Sequence, residues 1–323
     1  MQQIEKQKRI WVDLSRIDER PGPCCMSFGY DLKPLVKSIE TVGLVNPPFV
    51  AREGKAGLGI VAGYRRLMAL KTLHWDRVPC WDLSGLSLRE RVLFNFYDNY
   101  ATRGFNEVEI SMVLRRMVSH LSKEQTLREY MPLLGLPSHE QTLDLYLALE
   151  TLESPIKMAL VKKTLSLRAL KPLLDTDADT RQAVFDWMSQ FKFNLNQQIQ
   201  VIDYLLDLCE NEHKRVPALL EEEGLTSLGQ DRGINTPQKA KQVLDRLRAR
   251  CHPSLTRAEQ VFRTRVARLR LPDGAAIKHP PFFEDPHYRL EIAFRNGKAL
   301  TEKLKALFGL EGLQKIGDPW SED

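Results

Sequence analysis

The chain has 323 residues, 43% of them hydrophobic and 28% charged, with a formal net charge of +5. That length and apolar content suit two or three domains with full cores, and no stretch approaches the ~20 apolar residues of a membrane span. The start, Met1-Gln2-Gln3-Ile4-Glu5-Lys6-Gln7-Lys8-Arg9, is charged and leads into no apolar secretion segment, so a cytoplasmic protein is expected.

The first hundred residues alternate strand and helix signals. Ile10-Trp11-Val12 predicts a strand, and Leu32, Leu35, Val36 and Ile39 share one helical face that ends near Gly43. Extended chain resumes at Pro47-Pro48-Phe49-Val50, and Gly59 to Val61 predicts another strand. There Ile60-Val61-Ala62-Gly63-Tyr64-Arg65-Arg66 delivers an apolar run through a glycine into a helix continued by Leu67, Leu70 and Leu73. A helix N-terminus leaves backbone N–H groups unpaired, and its dipole together with two guanidinium groups favours a phosphate. Gly63 lets the backbone come close. The plainer alternative is a strand-to-helix junction with a solvated arginine pair. Arg77-Val78-Pro79-Cys80-Trp81 predicts a short strand that completes a compact α/β unit.

From Ser87 to about Glu212 the pattern is helical. Ser87 with Glu90, Asn106 with Glu109, Ser122 with Gln125 and Ser138 with Gln141 each supply an N-cap residue and a partner three positions on, and Ser154-Pro155 adds a cap followed by proline. Leu127 to Leu134, the turn Gly135-Leu136-Pro137 and Ser138 to Leu149 have helix-turn-helix proportions, with an ordinary αα-hairpin as the alternative. The second of these helices starts Ser138-His139-Glu140-Gln141-Thr142-Leu143-Asp144 without Lys or Arg, so base reading there falls to His, Gln and hydroxyl groups. Lys157 to Lys171 carries Lys157, Lys162, Lys163, Arg168 and Lys171 with no acid between them.

Glu221-Glu222-Glu223-Gly224 and Gly229 to Gly233 predict a linker over 216–235. Beyond it, Thr236-Pro237 is expected to cap a helix to about Cys251, and Thr256 with Glu259 to open another to about Leu269. Leu271-Pro272-Asp273-Gly274 then turns the chain, Tyr288 to Phe294 alternates like a strand, and Lys298 to Leu307 predicts a last helix. Lys239 to Arg270 concentrates basic residues against only Asp245 and Glu259, a pattern that suits either a phosphate backbone or a solvated helix face. Val243, Leu244, Leu247, Val261, Val266 and Leu269 are expected to pack its core or a dimer. The five cysteines, Cys24, Cys25, Cys80, Cys209 and Cys251, lack a metal-ligand spacing and read as inert thiols.

Taken in order, residues 10–175 resemble the ParB family of partition proteins. Leu35-Val36-Lys37-Ser38-Ile39 with Val42-Gly43-Leu44-Val45-Asn46-Pro47-Pro48 is similar to the family's first box, and Gly63-Tyr64-Arg65-Arg66 to its Gly-Glu-Arg-Arg phosphate motif. Val78-Pro79 stands where the family's next strand does, and Asp98-Asn99, Asn106 and Glu109 follow the spacing of its second nucleotide motif. Leu127 to Leu174 resembles the family's DNA-binding helical domain. The resemblance implies an α+β protein with a small α/β nucleotide-binding domain over 1–100 and an all-helical helix-turn-helix domain over 101–215; the linker and the small basic α/β module over 236–323, a candidate for dimerisation, lie beyond it. It implies a homodimeric clamp on double-stranded DNA that binds CTP with Mg2+ and acts in chromosome or plasmid partition. Gly63, Arg65, Arg66, Asn99 and Arg103 would hold the nucleotide, and Asn99 the metal. Ser138, His139, Gln141, Thr142, Lys162, Lys163 and Arg168 would face DNA.

The departures from the family pattern carry their own expectations. Tyr64 stands at the motif glutamate, Asp98 at the glutamate that supports hydrolysis, and Thr102 at the motif arginine with Arg103 one place late. A phenol titrating near ~10 supplies no carboxylate at neutral pH, so hydrolysis is expected to be weak or absent, with Asp98 as the sole catalytic candidate. No arm of the kind that stimulates a ParA-like ATPase is visible, which leaves that partner without a motif. Two alternatives remain at this stage. One is a phosphotransferase on the same fold; sulfiredoxin, also on that fold, has its cysteine where this chain has Tyr64. The other is a transcriptional regulator or adaptor that no longer uses nucleotide.

Overall fold

The computed structural model describes residues 8–53, 57–222, 224–231, 235–317 and Trp320. Two compact units divide between Gln182 and Ala183.

The first unit is built on a four-stranded sheet of β1 (Lys8–Asp13), β2 (Phe49–Glu53), β3 (Gly57–Ala62) and β4 (Arg77–Asp82), in the order β1-β4-β2-β3. β1 and β4 run antiparallel with Ile10 opposite Cys80, β4 and β2 run parallel with Trp81 opposite Phe49, and β2 and β3 form an antiparallel pair. Successive strand residues point to opposite faces, and both faces are covered. Val50, Ile60 and Val78 pack on α1 (Lys33–Val42) and α2 (Tyr64–Thr72) through Ile39, Leu67 and Leu70. Ala51 and Val61 face the other way, onto Val92 and Phe96 of α3 (Leu88–Thr102) and Val113 and Met117 of α4 (Glu107–His120). Cys24, Cys25 and Cys80 lie buried in these layers as free thiols; burial pushes Cys24 up to about 11, so it stays protonated.

Helical chain follows as α5 (Lys123–Gln125), a π-type turn over Thr126–Tyr130 and α6 (Met131–Leu133). The end of α6 is closed by two bonds, from Leu136 N–H to the Met131 carbonyl at 2.9 Å and from Gly135 N–H to the Pro132 carbonyl at 3.0 Å. Gly135 takes φ 73° between them, the left-handed conformation that glycine adopts most easily. After this turn α7 (Glu140–Leu149) buries Leu143, Tyr146 and Leu149. The Tyr146 hydroxyl donates to Glu107 of α4 at 2.5 Å, and Arg115 of α4 donates to Glu150 at 3.0 Å. α8 (Ser154–Val161) and α9 (Leu167–Leu170) complete the unit, and α10 (Ala178–Met188) contains the division.

The second unit holds α11 (Leu195–Glu212), α12 (Val216–Glu222), α13 (Leu225–Gln230), α14 (Thr236–Cys251), α15 (Pro253–Arg268), the hairpin β5 (Ala275–Lys278) and β6 (Arg289–Ile292), and α16 (Gly297–Phe308). Val201, Ile202 and Leu205 of α11 and Val243 and Leu247 of α14 are fully buried, as are Leu219 and Leu225. The expected linker over 216–235 instead holds the helices α12 and α13; residues 223 and 232–234 lie outside the described residues. Its acids and glycines suggested loose chain, but Val216, Leu219, Leu220 and Leu225 give the segment its own apolar face. No described helix is long and apolar enough to cross a membrane.

Three of the expected caps form: Ser87 and Asn106 make full capping boxes, and the Ser122 side chain accepts from Gln125 N–H. Four sites differ. His139, not Ser138, precedes α7, because the His139 N–H bonds the Pro137 carbonyl and holds Ser138 inside a turn. Glu153 precedes α8, which places Ser154 in the first turn. Asn235 caps α14, since its amide oxygen accepts from Gln238 N–H at 3.0 Å. Pro253 starts α15 three residues before Thr256, whose hydroxyl instead donates to the His252 carbonyl within the helix.

Candidate functional site

Gly63 joins β3 to α2 at φ 89° and ψ 27°. A side chain there would be strained by that φ, and its Cβ would sit 2.8 Å from Arg66 Nε. The turn places Arg65 and Arg66 in the first turn of α2, ahead of the first helical bond from Leu67 N–H to the Gly63 carbonyl at 3.0 Å. The C-terminal end of α3 meets them. Arg66 donates to Asp98 Oδ2 at 3.1 Å and to the carbonyls of Asn46 and Pro47 at 3.0 and 3.1 Å. Burial pulls the Arg66 guanidinium below its ordinary value, and Asp98 opposes that shift.

Arg65 turns the other way. Its guanidinium lies 5.0 Å from the centre of the Tyr30 ring and donates to Glu109 Oε1 at 2.6 Å. Glu109 is 1% exposed, and its second oxygen accepts from Arg103 at 2.7 Å. The Phe28 and Asn106 backbone N–H groups complete its shell at 3.1 and 3.3 Å. One buried carboxylate thus holds two arginines and the start of α4. Such a group is worth keeping only when fully partnered, and this one is.

Arg103 is the C-cap residue of α3 and reaches further than its position in sequence suggested. It donates to Asn99 Oδ1 at 2.7 Å and to the Met26 carbonyl at 3.0 Å. The Asn99 amide group in turn donates to the Asn95 carbonyl at 2.9 Å, and buried Asn95 donates to the carbonyls of Cys24 and Val61. Between α2 and α3 lies a cavity of about 410 Å³ whose wall includes Gly63, Arg65, Arg66, Asp98, Asn99 and Arg103. A larger cleft of about 660 Å³ is lined by Tyr30, Arg65, Arg103, Glu109, Lys163 and Ser166. Tyr64 also borders the smaller cavity; its hydroxyl donates to the Glu19 carbonyl at 3.2 Å, and burial holds the phenol above its ordinary value, so it stays neutral.

The profile of the ParB N-terminal domain matches residues 2–85, which span β1 to β4 and the glycine-arginine junction. Over residues 2–85 the chain is similar to that domain. Among curated relatives, the nucleoid occlusion protein of Lysinibacillus sphaericus is 24% identical over 198 residues. That match covers 58% of this chain, and the chain spans 61% of that relative's length. Among solved structures, C-terminally truncated ParB of Caulobacter crescentus complexed to the centromeric parS site has a TM-score of 0.34 at 13% identity, covering 60% of this chain and 98% of that one. The same protein complexed with CTP-gamma-S has a TM-score of 0.27 at 17% identity, covering 54% and 97%.

All five residues expected at the nucleotide site border the smaller cavity, including Arg103, one place late in the motif. Asn99, expected to help hold the metal, has its amide oxygen accepting from Arg103 at 2.7 Å. Among the described residues no cluster of three or more His, Cys, Asp or Glu side chains is placed to hold a metal ion. Of the residues expected on DNA, Ser138, His139 and Gln141 are exposed at the start of α7, and Thr142 is half-buried. Lys162 and Arg168 are exposed, and Lys163 lines the larger cleft with Arg65 and Arg103. Sequence reasoning missed Asn95, Tyr30 and the clamping role of Glu109. An asparagine on the same helical face as Val92 and Phe96 was the available signal for the first; nothing local marked Tyr30.

Proposed function

We propose that this protein is a ParB-like DNA-binding protein acting in DNA partition, a homodimeric clamp that binds CTP through its ParB N-terminal domain and hydrolyses it weakly or not at all. The observation that carries the reading is the cavity at the Gly63 junction, where two first-turn arginines of α2 meet Asp98 and Asn99 of α3 and its C-cap Arg103, inside the matched residues or directly beside them. Arginine forks pair well with phosphate oxygens, and the helix N-terminus adds its dipole.

With nucleotide in place, Arg66 would exchange its Asp98 partner for phosphate. Asp98 and the Asn99 amide oxygen, once Arg103 leaves it, are oxygen donors of the kind Mg2+ takes alongside phosphate and water. The bound metal would supply charge neutralisation on the triphosphate. Tyr64, neutral and tied to the Glu19 carbonyl, can deliver no carboxylate to an attacking water. The exposed Ser138, His139 and Gln141 would read bases from α7, with Lys162, Lys163 and Arg168 as phosphate contacts.

Calorimetric titration with CTP, ATP and GTP, with and without Mg2+, tests the pocket. CTP is expected to bind with Mg2+, and Arg66→Ala to abolish that binding. A chain that binds none of the three removes the nucleotide from the reading. Immunoprecipitated DNA that forms a sharp peak spreading into its flanks supports the clamp, and featureless enrichment rejects it.

A further inference from the structure

Asn95 of α3 is 4% exposed and borders the smaller cavity, yet the nucleotide reading gives it no task. Each end of its amide is occupied. The nitrogen donates to the Cys24 carbonyl at 2.8 Å and to the Val61 carbonyl, and the oxygen accepts from Asn99 Nδ2 at 2.5 Å. Asn99 stands one turn further along α3, where the same Nδ2 also donates to the Asn95 backbone carbonyl at 2.9 Å. Val61 is the extra residue of a bulge, since Ile60 pairs with Val50 and Ala62 with Phe49. Asn95 thus fastens α3 to the strand two residues before Gly63.

These bonds also run in one direction. Carbonyl oxygens accept and never donate, so the two from Cys24 and Val61 dictate which end of the Asn95 amide faces them. The oxygen is left for Asn99. Being an acceptor, it in turn dictates that Asn99 presents Nδ2 to Asn95 and Oδ1 to the other side, where Oδ1 meets Arg103 Nε at 2.7 Å. We propose that Asn95 is a positioning residue of the nucleotide site, holding the Asn99 amide with its oxygen turned into the cavity as the atom offered to Mg2+. The proposal rests on the reading of that cavity as a site for CTP with Mg2+, and adds a residue to those read there. Anchoring α3 to β3 uses the two Asn95 donors alone; the bond to Asn99 is the one that shapes the cavity wall.

The test is calorimetric titration of the full chain with CTP at zero and at saturating Mg2+, with a melting curve for each variant. Asn95→Ala is expected to cut the gain in CTP affinity that Mg2+ confers by about 10-fold, the low end for losing a group that orients a metal ligand. Affinity without Mg2+, which the arginines carry, should change far less. In an Asn99→Ala background the same substitution is expected to change the gain no further, because the atom it orients is gone. Asn95→Asp separates orientation from anchoring. Ionised or protonated, its carboxyl keeps an oxygen to accept from Asn99 but loses at least one donor, so the melting point is expected to fall and the Mg2+ gain to persist. Should Asn95→Ala fold poorly, Asn95→Ser, whose side chain is too short to reach Asn99, carries the same expectation. A loss of CTP affinity by the same factor with and without Mg2+, or a gain undiminished in the folded variants, overturns the proposal and leaves Asn95 as an anchor of α3. A wild-type chain whose CTP binding ignores Mg2+, or that binds no CTP, overturns the metal reading itself and shows it before any variant is made.

Discussion

Glu109 decides more at its one position than any other acid in the site. Its carboxylate is buried under Arg65 and Arg103, and removing it strands two guanidinium groups that retain some solvent. Glu109→Ala is expected to cost about 3 kcal/mol, the low end for stripping one partner from a buried pair, and Glu109→Gln less because the amide still accepts. Urea unfolding of the two variants against wild type checks this, and a change within about 0.5 kcal/mol, the range of an ordinary surface substitution, would show the clamp to be idle. Tyr64 sets the other residue-scale limit. Tyr64→Glu restores a carboxylate at the cavity rim beside Arg66, so CTP hydrolysis is expected to rise above the wild-type background. Phosphate release at the wild-type rate from a variant that still binds CTP would locate the missing chemistry elsewhere.

At the scale of elements, α11, α12 and α14 are joined by charge as well as by leucines. Arg250 of α14 donates to Glu212 at 2.7 and 2.5 Å and to Glu222 at 2.8 Å, while Lys214 bridges the same two acids. The Arg250 hydrogen bonds hold the Glu212 carboxyl at about 2 instead of its ordinary 4.5. A lowered folded value contributes stability above pH 4.5 that is lost as pH falls towards 2. Glu212→Gln is therefore expected to weaken the protein at pH 7 and to flatten its acid sensitivity between pH 4.5 and 2; parallel denaturation curves for the two proteins across that window would reject the assignment. The three elements were only partly legible in sequence. Periodic apolar faces or cap residues marked α1 to α4, since those signals are local. The helices over 216–230 were hidden because their few leucines gain meaning only against α11 and α14. The same contrast holds at the site. Gly63, Arg65 and Arg66 are adjacent in sequence and could be read together, whereas Tyr30, Asn95 and Glu109 reach them only through the packing of α3 and α4 on the sheet.

For the whole molecule, two units with separate cores predict unfolding that is not a single two-state transition. The cavity belongs wholly to the first unit, so a nucleotide that binds its folded form and not the unfolded chain raises that unit's stability by mass action. At a free concentration of about 100 times Kd the gain is about 2.7 kcal/mol. CTP with Mg2+ is thus expected to move one calorimetric transition upward, and Arg66→Ala to remove that movement while leaving both transitions visible without ligand. The transition that moves can be identified by hydrogen exchange: protection should rise in β3, α2 and α3, the elements that frame the cavity. Protection that rises instead in α14 and α15 would place the nucleotide in the basic tail, where phosphate would be drawn by arginines with no glycine junction, and would shift the site out of the first unit altogether.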